Sequence, residues 1–371
     1  MKHRHILSLV TCSLTLGAVA ATSLPACSSS ETTPSTATVK KAPARPAAPA
    51  TTETSTRTFA VKQLFLGDAP RTGAPTSTAW KKFGYDLDGK TSTQASTDVC
   101  KPPAGGENVA REDGDQGIDN SFGRNLMQTI IGLSPSAATD VQTQLVNGSF
   151  TLLLSVTGLS DDPKQTATGL KGFMNAGGIF DPSGQTKPNF GDKALDWPVQ
   201  GDLLADAKDP KSSRVKFSDA YIAGGTWVSG SDSVISLTLN VGGRALGLNI
   251  TKAQVTFEHS APNVASGGVI AGILNTNELI AALAPSLARL DPKLCSADKA
   301  SAITDTIRGY SDILTDGTQD PSKDCNGISI GLGFEAVEVA NPTKVAPTEP
   351  APPDPCTDPG DAGAKDAAQG G

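Results

Sequence analysis

Hydrophobic and polar residues alternate over several short stretches of the chain, most regularly in its second half. An alternation with period two predicts β-strands, because successive side chains of a strand point to opposite faces of the sheet. Gly242 and Gly243 lie between two of these stretches and predict a hairpin turn. The phase of the alternation changes near the end of the last stretch, which predicts a bulge between Phe334 and Val337. The predicted strands are 150–156, 215–217, 235–241, 246–250, 255–257 and 328–334.

Helical periodicity is less frequent. Asn120 and Ser134 are the predicted N-caps of two helices. Asn275 to Glu278 resembles a capping box before a third helix, and a fourth is predicted over 297–315, with Gly317 as its stop. Because strands and helices follow each other without a strict strand–helix–strand rhythm, we expect a mainly β (α+β) fold. The expected architecture is an antiparallel β-sandwich or jelly-roll-like core with helical insertions.

Composition changes sharply on both sides of the patterned region. Residues 27–56 are rich in Thr, Ala, Pro and Ser and contain almost no large apolar side chain, so we expect a disordered tether. Residues 342–371 are rich in Pro, Ala, Gly and Asp, and we expect a disordered tail. The predicted globular, β-rich domain therefore spans 57–341.

The formal net charge of the chain is −7. An acidic balance of this size mainly supports solubility. Basic residues form no cluster after the first few positions, so we expect no nucleic-acid partner.

The N-terminal segment has the layout of a secretory signal. A basic start is followed by an apolar stretch over 6–21 and then by Leu24-Pro25-Ala26-Cys27, which resembles the lipobox of bacterial lipoproteins. The resemblance implies that 1–26 is a signal peptide and that Cys27 carries the covalent lipid, diacylglycerol with palmitate-type acyl chains. Ser28 implies the outer membrane as destination, on its periplasmic or outer face. Ordinary secretion, with cleavage near Ala21 or Ala26, is the alternative.

Three phrases in the domain, FGYDLDG, DGDQGIDN and ISIGLGFEA, are similar to segments of large, uncharacterised lipoprotein families of soil-dwelling deltaproteobacteria. The similarity is patchy across 83–335. It implies no activity, because those relatives mostly have none assigned.

Four cysteines remain after Cys12 and Cys27 are set aside, an even number for an oxidising compartment. We expect a Cys295–Cys325 disulfide, because a helical segment lies between the two residues. Cys100–Cys356 follows by elimination, and free thiols and zinc ligands are the alternatives. Zinc has little support, since the chain has no CxxC pair and His259 is the one histidine of the mature chain.

Two acidic, glycine-bearing stretches carry the best chemical signal. Asp86 and Asp88 precede Gly89, while Asp113, Asp115 and Asp119 stand at relative positions one, three and seven of a second stretch. Calcium takes about six to eight oxygen ligands, and alternate aspartates in a glycine-containing loop supply them. The second stretch partly resembles the calcium loops of thrombospondin type 3 repeats and dockerins, but it lacks their terminal acidic residue. The five aspartates are candidate calcium ligands, with a solvated Asp/Gly turn as the alternative.

A further acidic set is expected to form a solvated loop rather than a site. Its members follow a spacing of four, but Gly317 and Pro321 would break a helix there. The set consists of Asp312, Asp316, Asp320 and Asp324.

Catalytic residues are harder to identify. His259 has no nucleophile-elbow motif near it, so we expect a surface residue at a strand end. Glu335 and Glu338 are candidate carboxylates for glycoside hydrolysis if a bulge aligns them. The tryptophans are expected in the core, with a sugar-stacking platform as the alternative; they are Trp80, Trp197 and Trp227.

The sequence thus favours an outer-membrane-anchored lipoprotein with a non-catalytic binding or structural domain, stabilised by calcium. Its expected partners are the membrane, through the lipid, and an envelope protein or glycan. The alternative is a carboxylate-dependent glycoside hydrolase or carbohydrate-binding protein of the cell envelope.

Overall fold

The computed structural model describes residues 39–230, 233–241, 244–290 and 297–347. The predicted signal peptide, Cys27, Cys295, Cys356 and most of the predicted tail lie outside the described residues.

Strands dominate the described residues, as the alternation predicted. In chain order they are β1 (Thr56–Phe65), β2 (Thr151–Thr157), β3 (Ala167–Gly177), β4 (Val199–Gln200), β5 (Val215–Ala223), β6 (Thr226–Val228), β7 (Ser233–Val241), β8 (Arg244–Ala261), β9 (Val264–Asn275), β10 (Gly327–Val339) and β11 (Val345–Ala346). The predicted hairpin is confirmed in its pairing, because β7 and β8 are antiparallel with Val241 opposite Arg244.

Helices fill part of the connections between strands. They are α1 (Met127–Leu133), which continues a π-type turn over Phe122–Leu126, α2 (Ala137–Asn147), α3 (Thr276–Leu290) and α4 (Ala297–Gly309). In the part of the chain that the structure describes, none of the helices is long and apolar enough to span a bilayer.

Two of the predicted caps are confirmed. Asn120 Oδ1 accepts the backbone N–H of Gly123 at 2.9 Å, and Asn275 Oδ1 accepts that of Glu278 at 3.2 Å. The other two boundaries differ from the prediction. The N-cap position of α2 is Ser136 rather than Ser134, and α4 ends at Gly309, well before Gly317.

The main sheet closes on itself into an antiparallel barrel. Its strand order is β3-β2-β1-β10-β9-β8-β6-β5, and β5 pairs again with β3 to complete the ring. The predicted sandwich or jelly roll is therefore wrong in architecture, although the mainly β class is confirmed. Register shifts on either side of Leu170 interrupt the closing pair, and such irregularities add the curvature that closure requires.

The predicted irregularity near the end of the last strand is confirmed in its position. The pairing of β10 with β9 shifts register between Phe334 and Ala336. The extra residue lies in β9, because Ser266 and Gly267 stand opposite Glu335.

Aromatic rings fill the main hydrophobic core. The Trp227 ring stacks on Phe257 at 5.2 Å between centroids, and Phe59 and Phe217 pack against these two rings at 5.5 and 5.8 Å. Trp197 belongs to a second cluster on the opposite face of β1, together with Ala60 and Leu153. All three tryptophans are buried, as predicted for core residues: Trp80, Trp197 and Trp227.

Residues 39–55, here called the N-terminal strap, are fixed to the domain. Thr51 N–H donates to Thr168 O at 2.8 Å, and Thr168 N–H donates to Pro49 O at 3.0 Å. Tyr221 donates its hydroxyl to Pro43 O at 2.6 Å. This part of the predicted tether is corrected: its backbone finds partners on distant strands, although its composition offers no core-forming side chains.

The C-terminal boundary of the domain also differs from the prediction. β11 pairs in parallel with β4, and Thr343 N–H donates to Asp196 Oδ1 at 3.0 Å. The packed region therefore extends past the predicted limits of 57–341 at both ends.

The disulfide differs from both predicted pairs. Cys100 bonds to Cys325 with their Cα atoms 5.1 Å apart, so Cys295–Cys325 and Cys100–Cys356 are wrong. A helical segment between Cys295 and Cys325 favoured their pairing, but the fold brings two remote loops together. Lys101 N–H donates to Lys323 O at 2.8 Å, and Cys325 N–H donates to Lys101 O at 2.9 Å. This short parallel bridge aligns the two thiols across 225 positions of sequence.

Candidate metal centre

Three of the predicted aspartates converge in the structure. Asp86, Asp88 and Asp119 each offer a carboxylate oxygen, and these oxygens lie within 4.8 Å of one another. Asp86 and Asp119 are only 6% and 3% exposed, and Asp88 is partly buried. A compact group of carboxylates at this depth is the arrangement that a hard divalent cation uses.

Backbone hydrogen bonds hold the two acidic stretches side by side. Asp119 N–H donates to Tyr85 O at 3.0 Å, and Leu87 N–H donates to Asp119 Oδ2 at 2.7 Å. The first stretch also closes on itself, since Asp86 Oδ1 accepts Gly89 N–H at 2.6 Å. Gly89 has φ +80°, a conformation that glycine adopts without strain. The Asp-Leu-Asp-Gly order therefore folds into a tight turn that aims both carboxylates to one side.

The asparagine that follows Asp119 fixes this region to the barrel. Asn120 Nδ2 donates to Phe83 O and to Gly331 O, both at 3.0 Å, and its Oδ1 accepts Gly331 N–H at 3.0 Å. Gly331 belongs to β10. The acidic stretch is thus attached to a central barrel strand by the residue next to Asp119.

Two more aspartates contribute charge to the cluster. Burial, and then the charges of Asp88 and Asp312, raise the pKa of Asp113 to about 7, although Ser92 N–H donates to its carboxylate. Burial also raises the pKa of Asp312 to about 7, against two hydrogen bonds from Ser329. The protein therefore concentrates negative charge in a region where water solvates it poorly.

Two members of the three-carboxylate group also have raised pKa values. The pKa of Asp119 is raised well above its usual range by burial first, and then by the charges of Asp88 and Asp113. Burial raises the pKa of Asp88 despite a hydrogen bond from Gln319. A bound cation would favour the ionised form of each carboxyl group and offset the repulsion among them.

One oxygen of the group has no hydrogen-bond donor. Among the described residues, nothing donates to Asp86 Oδ2, although the atom is buried. The ammonium of Lys41 stands 3.7 Å away, beyond hydrogen-bond distance. A buried carboxylate oxygen without a donor is unfavourable unless a charged group supplies the missing interaction.

The chemistry of the donors fits a hard cation. The group consists of carboxylates, without thiolate or imidazole among the described residues of the cluster. Calcium, magnesium and manganese prefer such oxygen ligands, whereas zinc prefers nitrogen and sulfur. Asp86, Asp88 and Asp119 would hold the ion, and water would complete the coordination.

The structure does not gather all five predicted ligands. Asp113 lies close enough to Asp88 to interact electrostatically but is outside the 4.8 Å group. Asp115 is exposed in a short 3₁₀ turn, Asp115–Gly117, and is also outside the group. Sequence spacing alone placed Asp115 with the ligands, because alternate positions of an extended loop share one side.

Asp312 and Gln319 are the neighbours that the sequence argument missed. Asp312 was expected in a solvated loop, yet its carboxylate is enclosed by protein and sensitive to the charge of Asp88. Gln319 Nε2 donates to Asp88 Oδ2 at 2.6 Å, and its Oε1 accepts Cys100 N–H at 2.8 Å. These contacts join residues 231 and 219 positions apart, so no local pattern could have revealed them.

The remainder of that acidic set behaves as predicted. Asp316 and Asp324 are exposed. Asp320 accepts the N–H and hydroxyl of Ser322, and these bonds lower its pKa to about 2. Such local hydrogen bonds stabilise the ionised carboxylate without a metal.

Both candidate catalytic glutamates are paired with cations. Arg71 donates to Glu335 Oε1 at 2.6 Å, while Glu338 Oε2 lies 3.9 Å from Arg57 and 3.8 Å from Lys193.

His259 is not the surface residue that was predicted. It is fully buried within β8, because that strand continues to Ala261. Its Nε2 is 2.9 Å from Ser160 O, and its ring meets the Phe59 ring edge-on at 6.3 Å. The imidazole therefore packs against the main core.

A cavity of about 260 Å³ lies between α3 and the hairpin of β7 and β8. Leu237, Leu248 and Leu279 contribute to its wall, and its lining includes no aromatic ring. Sugar-binding surfaces usually stack a sugar ring on an aromatic face, so this cavity does not support the carbohydrate alternative.

No protein-family model, curated protein or solved structure matches this chain. The acidic cluster and the N-terminal motif are therefore the features of this chain that bear on its function.

Proposed function

We propose that this chain is a lipid-anchored outer-membrane lipoprotein whose barrel domain is stabilised by calcium and has a non-catalytic binding or structural role. The convergence of Asp86, Asp88 and Asp119 within 4.8 Å carries the calcium part of the proposal. The order of basic start, apolar stretch and Cys27 supports the lipid anchor.

Calcium has a clear energetic role at this position. The raised pKa values of Asp88 and Asp119 mean that the ionised cluster is unfavourable in the folded, metal-free protein. Three carboxylates that each contribute one oxygen, together with water molecules, would provide the oxygen coordination that calcium takes. Because the three carboxylates converge only after folding, the ion stabilises the native state by mass action.

The expected structural effect is local. Asn120 already ties the acidic stretch to β10. A cation shared by Asp86 and Asp119 would tie the two acidic stretches to each other as well. Calcium would therefore fix the loops beside the barrel, and these loops would form the part of the surface that a partner contacts.

Thermal unfolding of the full chain in calcium and in chelator tests the calcium proposal. We expect a higher Tm in calcium, and we expect Asp119→Asn to remove most of the increment, because asparagine keeps the shape but not the charge. Asp115→Asn is the matched control, since Asp115 is exposed and outside the group, and it should keep the increment. Equal Tm values in calcium and in chelator for the unsubstituted protein would contradict the proposal.

Intact mass spectrometry of the membrane fraction tests the anchor. We expect the mass of a polypeptide that begins at Cys27 and carries diacylglycerol and an acyl chain. Cys27→Ser should release the protein from the membrane. Cys12→Ser is the control, because Cys12 lies in the predicted signal peptide. An unmodified polypeptide in the soluble fraction would overturn this part of the proposal.

A further inference from the structure

The N-terminal strap passes directly over the acidic cluster. Asp86 N–H donates to Lys40 O at 2.8 Å, and Lys40 N–H donates to Gln116 O at 2.9 Å. Ala42, two positions further along, packs against the cluster of Tyr85 and Val269. Contacts on both sides of Lys41 thus hold its backbone beside Asp86.

The side chain of Lys41 reaches the one oxygen of Asp86 that lacks a hydrogen bond. Asp86 Oδ1 accepts Gly89 N–H, whereas Oδ2 faces Lys41 Nζ at 3.7 Å. The Asp86 side chain is 0% exposed, and that of Lys41 is 58% exposed. The ammonium therefore approaches the buried oxygen from the solvent side, with space to withdraw.

We propose that Lys41 is a built-in competitor for the metal, a residue that sets the affinity of the centre. This inference rests on the proposed calcium site. In the metal-free protein the Lys41 ammonium supplies the positive charge at Asp86 Oδ2. A cation that enters the group takes over this oxygen, and the exposed lysine side chain swings into solvent.

Covalent attachment beside the site makes the ammonium an effective competitor. A side chain attached beside the site has a high local concentration, of the order of millimolar or more. A monovalent ion gains about as much Coulomb energy as the ammonium it would replace, so it competes poorly. A divalent ion gains about twice as much from the same carboxylates and displaces the ammonium. Lys41 thus lowers the apparent affinity for every ion by the same factor, so that an ion must bind the carboxylates strongly, as a divalent ion does, to occupy the site.

Isothermal titration calorimetry tests the proposal, with calcium titrated into the full-length lipidated protein in detergent micelles. Lys41→Met keeps the length of the side chain and removes its charge, and we expect its Kd for calcium to fall about five- to tenfold. Lys62→Met is the matched control: Lys62 is an exposed lysine of β1, and its loss changes the net charge equally. Lys41→Arg, which keeps the charge, should remain close to the unsubstituted protein.

A second measurement does not depend on any variant. Amine acylation followed by peptide mass spectrometry should show faster modification of Lys41 in calcium chloride than in chelator, with Lys62 unchanged. Calcium binding with equal Kd values for Lys41→Met and Lys62→Met, and with no change in Lys41 acylation, would overturn the role of Lys41 and leave the calcium site standing. Absence of calcium binding in every protein tested would overturn both.

Discussion

At the scale of single residues, Asn120 joins the candidate site to the barrel. Its buried amide donates to Gly331 O and accepts Gly331 N–H. The same amide also donates to Phe83 O and Trp80 O and accepts Gly123 N–H. We expect Asn120→Ala to lower the free energy of unfolding by about 3 kcal/mol or more, because several buried groups lose their partner at once. Urea unfolding measures this effect. Asn147→Ala removes an exposed amide and should change stability by less than about 0.5 kcal/mol; equal losses would contradict the role of Asn120.

Asp312 should make the metal-free protein less stable as the pH rises. Burial raises its pKa from 3.8 to about 7, so between these values the folded state holds a proton that the unfolded state has lost. Stability therefore falls with rising pH in this window, by up to about 1.4 kcal/mol per pH unit for a single group, and this contribution is constant above it.

Asp312→Asn cannot titrate, and we expect a shallower decline between about pH 4 and pH 7 in chelator. Urea unfolding across this range measures the slope. Asp320→Asn is the control, because the pKa of Asp320 is lowered to about 2 and the group stays ionised throughout the window. An unchanged slope in Asp312→Asn would show that other groups cause the decline.

The parts of the site that could be predicted from the sequence are those that depend on local contacts. Asp86, Asp88 and Asp119 were found because aspartates near turn glycines fold in recognisable ways. Asp312 and the burial of His259 were missed, since both depend on contacts with remote segments. Sequence patterns thus identified the three converging aspartates, together with Asp113 and Asp115 outside the group, but not the residues that surround them.

At the scale of elements, some of the strands could be predicted and their closure into a barrel could not. Alternation revealed β7, β8 and β10, and also the position of the register shift in β10. It missed β1, β3 and β9, and in β9 glycine and alanine replace large apolar residues. Pairing between β3 and β5 leaves no trace in either strand alone, so the sandwich and the barrel could not be distinguished.

Gly172 lies in the closing pair of strands, at a position with little room for added volume. It lies on β3 opposite Phe217, and a Cβ there would meet Trp227 Cζ2 at 3.0 Å and Ser155 O at 3.1 Å. We expect Gly172→Ala to destabilise the fold by about 1–3 kcal/mol through overpacking. Gly247→Ala on β8 is the matched control, because its Cβ would meet nothing within 4 Å. Thermal unfolding compares the two, and equal Tm values would show that the barrel accommodates the methyl group.

At the scale of the whole molecule, the barrel and the acidic loops are held by different interactions. The barrel is closed by its own ladders and filled by a continuous core. The acidic loops depend on Asn120, on the strap and on the Cys100–Cys325 disulfide, and their carboxylates repel one another. Local opening should therefore occur first in these loops when no cation is bound.

Hydrogen exchange followed by mass spectrometry tests this division. In calcium, we expect amides in peptides from 85–119 to exchange at least about tenfold more slowly than in chelator, because the ion must leave before the loops open. Peptides from β2 and β3 are the internal control, since their amides lie in the barrel ladder and open by a route that the ion does not block. Equal slowing in loops and barrel would show that the loops open only with global unfolding. Slowing confined to the loops would place the effect of calcium on the surface beside the barrel.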